Sequence, residues 1–203
     1  MPRLFVAIDL PERIKDDITA TYIALPGARW TDEPQLHLTL RFIGEVPGDK
    51  ADRIASALRQ VSGPTFSLRV GKVGYFPPRR DPRILWAGLS KCEALLRLQA
   101  RIERSLVSLG LESENRKFHA HITVARLDAT PPSKVAVWVT QHSLFHTEPF
   151  AVSSFHLYSS VLRREGALHE KIASYLLEKE IRMEDEESCG LWLPSDKKTP
   201  GLS

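Results

Sequence analysis

The chain has 203 residues, of which 42% are hydrophobic and 26% charged, with a formal net charge of +3. That is enough apolar material for one compact core, and too little positive charge for a protein that coats DNA. The two cysteines, Cys92 and Cys189, show no CxxC spacing, so neither a disulfide framework nor a cysteine-held zinc is expected, and the thiols fit a reducing compartment. The first apolar run is short and interrupted by Asp9, too brief for a membrane span or a secretory signal; a cytoplasmic location, no membrane partner and a monomer are the expectations.

In chain order, "RLFVAIDL" is a buried strand over residues 3–9, and Pro11 opens a helix running to about Leu25. "PGARWTDEP" reads as a connector and residues 36–43 as a strand. Asp49 caps a helix through about Val61, because Ile54, Ala55, Leu58 and Val61 have helical spacing. "FSLRVGKVGYF" and "RILWAGLS" are strands joined by "PPRRDPR". Leu95, Leu98, Ile102, Leu106 and Leu109 form the stripe of a long helix that Gly110 stops. A strand follows over about 118–126, then a helix behind "PP" in "PPSKVAVWVTQHS", then the alternating strand "FAVSSFHLYSSVL". Local pattern makes "ALHEKIASYLLEKEIRMEDEE" a helix. The residues from 184 onward, acidic and then rich in Ser, Pro and Lys, read as a flexible tail behind a single domain of residues 1–183.

Two of these strands share one text. His37-Leu38-Thr39-Leu40 and His121-Ile122-Thr123-Val124 are both His-x-Thr followed by an aliphatic. Side chains alternate along a strand, so His37, Thr39 and Arg41 should share one face, with Leu36, Leu38, Leu40 and Phe42 opposite. His119, His121 and Thr123 should likewise face away from Ile122 and Val124, which puts Arg126 on the apolar parity. One copy means little, since Thr favours strands and His is common on half-exposed faces. Two copies, each backed by an apolar face, offer two imidazoles and two hydroxyls. Histidines with ordinary pKa near 6.5 can divide general-acid and general-base work at neutral pH, and threonine hydroxyls can donate to phosphate oxygens. Without a third carboxylate or thiolate, two histidines make a poor zinc site.

These motifs, with "RLFVAIDLP", "ARWTDEPQLHLTLRFIGEV", "VGYFPPRRDPRILWAGL", "IERSLVSLGL" and "RKFHAHITVARL", resemble the two-histidine phosphoesterases, in particular the RNA 2′,3′-cyclic phosphodiesterase (2′-5′ RNA ligase) family. The resemblance implies an α+β fold of two pseudo-symmetric lobes, each an antiparallel sheet flanked by outer helices, with a cleft between them. It implies hydrolysis of a terminal 2′,3′-cyclic phosphate on RNA, or on a cyclic nucleotide, to a 2′-phosphate, with His37 as proton donor, His121 as proton acceptor, Thr39 and Thr123 on the phosphate, and no metal or organic cofactor. Arg41, His119 and Arg126 are candidate substrate contacts. The alternatives are a 2′-5′ RNA ligase acting on tRNA halves, and a non-catalytic module binding RNA ends or nucleotides. Two departures stand out: Ala120 where the family usually has proline, and His169 where it often has an aromatic. The resemblance makes "LHEKIASYLL" a strand, against its local pattern. His142, His146 and His156 read as surface or packing residues, Arg79 and Arg80 as part of a solvated turn or a phosphate-steering loop, and Trp30, Tyr75 and Phe76 as packing or base-stacking groups.

Overall fold

A computed structural model describes residues 3–78, 81–163 and 166–178. Ten strands and four α-helices are present among them, making an α+β fold. The strands are β1 (Arg3–Asp9), β2 (Ala28–Trp30), β3 (His37–Glu45), β4 (Phe66–Leu68), β5 (Val70–Phe76), β6 (Ile84–Leu89), β7 (His121–Leu127), β8 (Phe150–Val152), β9 (Ser154–Arg163) and β10 (Gly166–Leu176). The helices are α1 (Glu12–Thr19), α2 (Gly48–Leu58), α3 (Glu93–Ser108) and α4 (Pro132–Gln141).

Seven strands pair in the order β10-β9-β1-β3-β7-β6-β5, with β2 alongside β7, and β4 pairs β8 in a separate ribbon. The named strand pairs are all antiparallel. β3 and β7 meet in the middle of this order, with β1 beyond β3 and β6 beyond β7. On one side β1-α1-β3-α2 and on the other β6-α3-β7-α4 repeat the same path. The two halves are joined between β3 and β7 at a single register pair, Leu38 with Ile122. The helices are tied in pairs. The Ser105 hydroxyl of α3 donates to the Ala57 carbonyl of α2 (3.3 Å), and the Trp138 indole of α4 donates to the Thr21 carbonyl just beyond α1 (2.9 Å).

The core lies between sheet and helices. Leu38, Ile122, Ile14, Ile18, Ile54, Leu58, Leu95, Ile102, Leu106, Val135 and Trp138 are all almost fully buried there. The α3 stripe behaves as its spacing predicts, with Leu109 half-buried at its end, before Gly110 at φ 78°.

Several expected boundaries move. The first helix ends at Thr19, not Leu25, and the Thr21 hydroxyl then turns back onto the Ile18 carbonyl (2.7 Å). The supposed connector carries the three-residue strand β2. Pro47, not Asp49, occupies the cap position of α2, and that helix ends at Leu58 rather than Val61. "FSLRVGKVGYF" breaks into β4 and β5, which belong to different sheets, and "FAVSSFHLYSSVL" breaks likewise into β8 and β9. "ALHEKIASYLL" is the strand β10, as the resemblance implies and the local pattern does not. The tail after residue 183, Arg79, Arg80 and Cys189 lie outside the described residues.

Candidate active site

The side of the sheet away from the helices carries the polar half of both motifs. Leu38 and Ile122 pair directly and are completely buried, so their neighbours His37, Thr39, His121 and Thr123 project from the opposite face. Around an antiparallel pairing, His37 and His121 are diagonal neighbours, roughly 7–8 Å apart along the backbone. All four side chains are half-buried.

Both imidazoles are held the same way. His37 Nδ1 lies 2.7 Å from the Gln35 carbonyl and His121 Nδ1 lies 2.7 Å from the His119 carbonyl, two residues back in each case. A carbonyl only accepts, so Nδ1 carries the proton in both rings and Nε2 is left for a ligand. Burial pushes His37 down to about 4, against the raising effect of the Gln35 hydrogen bond; nearby His169 adds to the depression and Asp9 opposes it. His121 is also lowered, first by burial and further by His119, while its carbonyl hydrogen bond works the other way.

The fourth residue of each motif is a bulge. In the β1–β3 ladder Val6 faces Arg41 and Ala7 faces Thr39, so Leu40 is skipped. In the β6–β7 ladder Leu85 faces Ala125 and Trp86 faces Thr123, so Val124 is skipped. One extra residue on one strand reverses the alternation beyond it. Three parity assignments made from sequence are therefore wrong. Arg41 turns to the helix side, where its guanidinium donates to Glu103 of α3 (2.6 Å) and to the carbonyls of Phe42 and Glu112 (2.5 Å each). Phe42, expected on the buried face, comes round to the polar face beside Phe5 (ring centroids 6.0 Å) and is 64% exposed. By the same reversal Arg126 lies on the face of His121 and Thr123, and it is exposed.

Aromatic rings wall the two histidines. On the first half, Phe5 lies 5.0 Å from His37, Tyr158 stacks on Phe5 at 5.2 Å, and His169 meets His37 edge-on at 5.4 Å. On the second, Phe76 meets His121 at 5.1 Å and His119 at 5.3 Å, and Trp86 meets His119 at 5.4 Å. His119 thus stands at the site, exposed at its rim. Trp86 lies flat across two glycines: a Cβ on Gly74 would fall 2.3 Å from its ring. Among the described residues neither the Trp86 indole nitrogen nor His169 Nδ1 has a partner, although both atoms are buried. Of the three proposed stacking residues only Phe76 is at the site. Trp30 stacks on Tyr22 (4.3 Å) and donates to the Ile23 carbonyl, and Tyr75 packs against the core.

Beside His37, Asp9 sits opposite it in the β1–β3 register. The Tyr158 hydroxyl (2.5 Å) and Lys171 (2.6 Å) donate to its carboxylate, and His156 approaches to 3.5 Å. Burial would raise this carboxyl, but the hydrogen bonds from Lys171 and Tyr158, together with the charges of His156 and Lys171, hold it below its usual value. Sequence reading passed over Asp9, Tyr158, Trp86 and the approach of His169 to His37. The usable signals were Gly74 and Gly88, which leave space for Trp86, and the departure already noted at His169. Among the described residues no three His, Cys, Asp or Glu side chains group to hold a metal, and no helix is long and apolar enough to cross a membrane.

This geometry can be set against known proteins. The family profile described as "LigT like Phosphoesterase" matches residues 8–86 and 88–169. The chain belongs to the LigT-like phosphoesterase family. It is 34% identical over 176 residues to an RNA 2′,3′-cyclic phosphodiesterase of Thermotoga maritima, covering 83% of this chain and 91% of that one. It is 31% identical over 166 residues to the Escherichia coli enzyme of the same name, covering 80% and 89%. Among solved structures, E. coli LigT complexed with 3′-AMP superposes with a TM-score of 0.72 at 26% identity, covering 88% of this chain and all of that one.

Proposed function

We propose that this LigT-like phosphoesterase hydrolyses a 2′,3′-cyclic phosphate at the end of RNA to a 2′-phosphate, without a metal. The observation that carries the reading is the matched pair of imidazoles, each with Nδ1 tied to a carbonyl and Nε2 free, beside two threonines. The relatives named RNA 2′,3′-cyclic phosphodiesterase supply the substrate class. We read the two halves of the sheet as lobes flanking a cleft over the Leu38–Ile122 pairing.

His121 Nε2, neutral, takes a proton from water as its oxygen bonds to phosphorus. The bond from phosphorus to the 3′ oxygen breaks, and His37 Nε2–H gives that oxygen its proton. Thr39 and Thr123 donate to the non-bridging oxygens as charge gathers there. Burial leaves His37 neutral in the free protein at pH 7. Its proton arrives with the anionic diester, whose negative charge between the rings opposes the burial effect. The downward push on His37 also favours a second reading, in which His37 is the base and His121 the acid. An aryl phosphodiester separates the two, because its leaving oxygen needs no proton. The variant lacking the acid should lose far less activity on that substrate than the variant lacking the base.

The direct experiment gives the purified protein an oligoribonucleotide with a 2′,3′-cyclic phosphate end in the presence of EDTA. A 2′-phosphate end is expected. A 3′-phosphate, or loss of turnover on chelation, would contradict the proposal, and accumulation of 2′-5′ joined tRNA halves in place of hydrolysis would favour ligation.

A further inference from the structure

The two motif histidines differ in the residue that faces each across the neighbouring strand. In the β1–β3 ladder Asp9 is the direct partner of His37, so their Cβ atoms stand roughly 4.5–5.5 Å apart. The Asp9 carboxylate lies on the His37 side of the sheet. It accepts from the Tyr158 hydroxyl (2.5 Å), and the Tyr158 ring stacks near His37 with centroids 6.5 Å apart. Across from His121 stands Gly88, where a Cβ would come within 3.0 Å of the Trp86 ring. The sheet therefore gives one imidazole a carboxylate as its cross-strand neighbour and the other a glycine.

The carboxylate is kept charged. Half-buried, it would tend to take up a proton, but Tyr158 and Lys171 (2.6 Å) donate to it and His156 approaches to 3.5 Å. Around His37 stand Asp9 on β1, Tyr158 on β9, His169 and Lys171 on β10, and His121 on β7. Tyr158 stays a neutral phenol, since burial and then Asp9 push its hydroxyl up. Asp9 is thus the one anion in this group, and Lys171 enters from β10, two strands beyond β1. The Asp9 charge favours the protonated His37 ring, while His169 opposes it. We propose that Asp9 is a positioning residue that holds the transferable proton on His37 rather than on His121, and so assigns His37 the acid's part in the reaction. Asp9 acts through His37 and touches no reacting atom. This rests on reading His37 and His121 as the hydrolytic pair.

The test follows kcat against pH for wild type, Asp9→Asn and Lys171→Met on the cyclic-phosphate-ended oligoribonucleotide. Well above both histidine pKa values kcat follows the fraction of acid still protonated; well below them it follows the fraction of base still free. Asp9→Asn should therefore lower the alkaline flank about three- to tenfold and leave the acid flank in place. KM should not rise, because a carboxylate offers an anionic ester no attraction. On an aryl phosphodiester, whose leaving oxygen needs no proton, the loss should be far smaller. Lys171→Met breaks the same network but leaves the carboxylate, so its alkaline flank should hold or rise. An unchanged alkaline flank in Asp9→Asn, an equal fall in Lys171→Met, or a change confined to the acid flank overturns the proposal; the last would make His37 the base. If thermal melting shows that Asp9→Asn does not fold, Asp9→Asn/Lys171→Met removes both charges and is read against Lys171→Met in the same way. If the wild type does not cleave the oligonucleotide, the hydrolytic reading fails by itself. NMR titration of the His37 ring with inorganic phosphate present then decides the role of Asp9: a lower midpoint in Asp9→Asn than in wild type supports it, and an equal midpoint rejects it.

Discussion

The two halves of the sheet agree in some positions and differ in others, and the division is informative. They agree at the histidine with its Nδ1–carbonyl bond, the threonine, and the bulged aliphatic Leu40 or Val124. They differ in what surrounds these groups. Opposite His37 stands Asp9, and opposite His121 stands Gly88; opposite Thr39 is Ala7, and opposite Thr123 is Trp86. Past the bulge, the outward position is Phe42 in one half and Arg126 in the other. On the proposed reaction, what the two halves repeat would supply two proton-transfer groups and two phosphate donors to one ester, and what they do not repeat would meet the unlike ends of the substrate.

Breaking the repeated part should have the largest effect. His37→Ala and His121→Ala should each lower kcat for the cyclic-phosphate oligonucleotide by roughly 10²–10⁴-fold. A single-turnover assay measures this, and one histidine proving dispensable would mean the symmetry is only architectural. Next come the hydroxyls. Thr39→Val and Thr123→Val should each cost roughly 10- to 150-fold in kcat/KM, the worth of one hydrogen bond to a charged group. Losses that differ greatly between the two would show the phosphate to be held from one side.

The deeper burial of His37 predicts a stability effect with a definite sign. A histidine near 4 in the fold and near 6.5 unfolded stays neutral in the native state while the unfolded chain takes up a proton. Its contribution is complete above about pH 6.5 and disappears as the pH falls towards 4, a loss of at most about 3 kcal/mol. His121 and His169, both lowered, add the same sign. Urea midpoints should therefore fall between pH 7 and pH 4.5, and fall less in His37→Gln. The smallest kinetic effect belongs to Arg41. Because it serves Glu103 on the helix side, Arg41→Ala should lower stability by roughly 1–3 kcal/mol, since Glu103 keeps its Glu114 N–H bond but loses its charged partner, with little change in KM for the cyclic-phosphate oligonucleotide. A large KM effect would return Arg41 to the site.

How much of this the sequence revealed follows from which rule held locally. Strict alternation through His37-Leu38-Thr39-Leu40 placed the four motif side chains on one face, because the first three positions of each strand are regular. Alternation failed one residue later, since a bulge leaves no mark in composition, and that single insertion exchanged the sides of Arg41 and Arg126. β10 hid for the same reason: the ladder skips Ile172 between Lys171 and Ala173, so its apolar residues fall at helical spacing. Resemblance identified it where periodicity could not. β2 was missed because three residues carry no period.

The central claim is that His37 and His121 act on the same P–O bond. Its most direct test is the double variant His37→Ala/His121→Ala, measured beside the two single variants for hydrolysis of the cyclic-phosphate oligonucleotide. Residues that act as a unit give grossly non-additive losses, so the double variant should be scarcely slower than the worse single one. Losses that multiply would mean that the two imidazoles work independently, and would contradict the account.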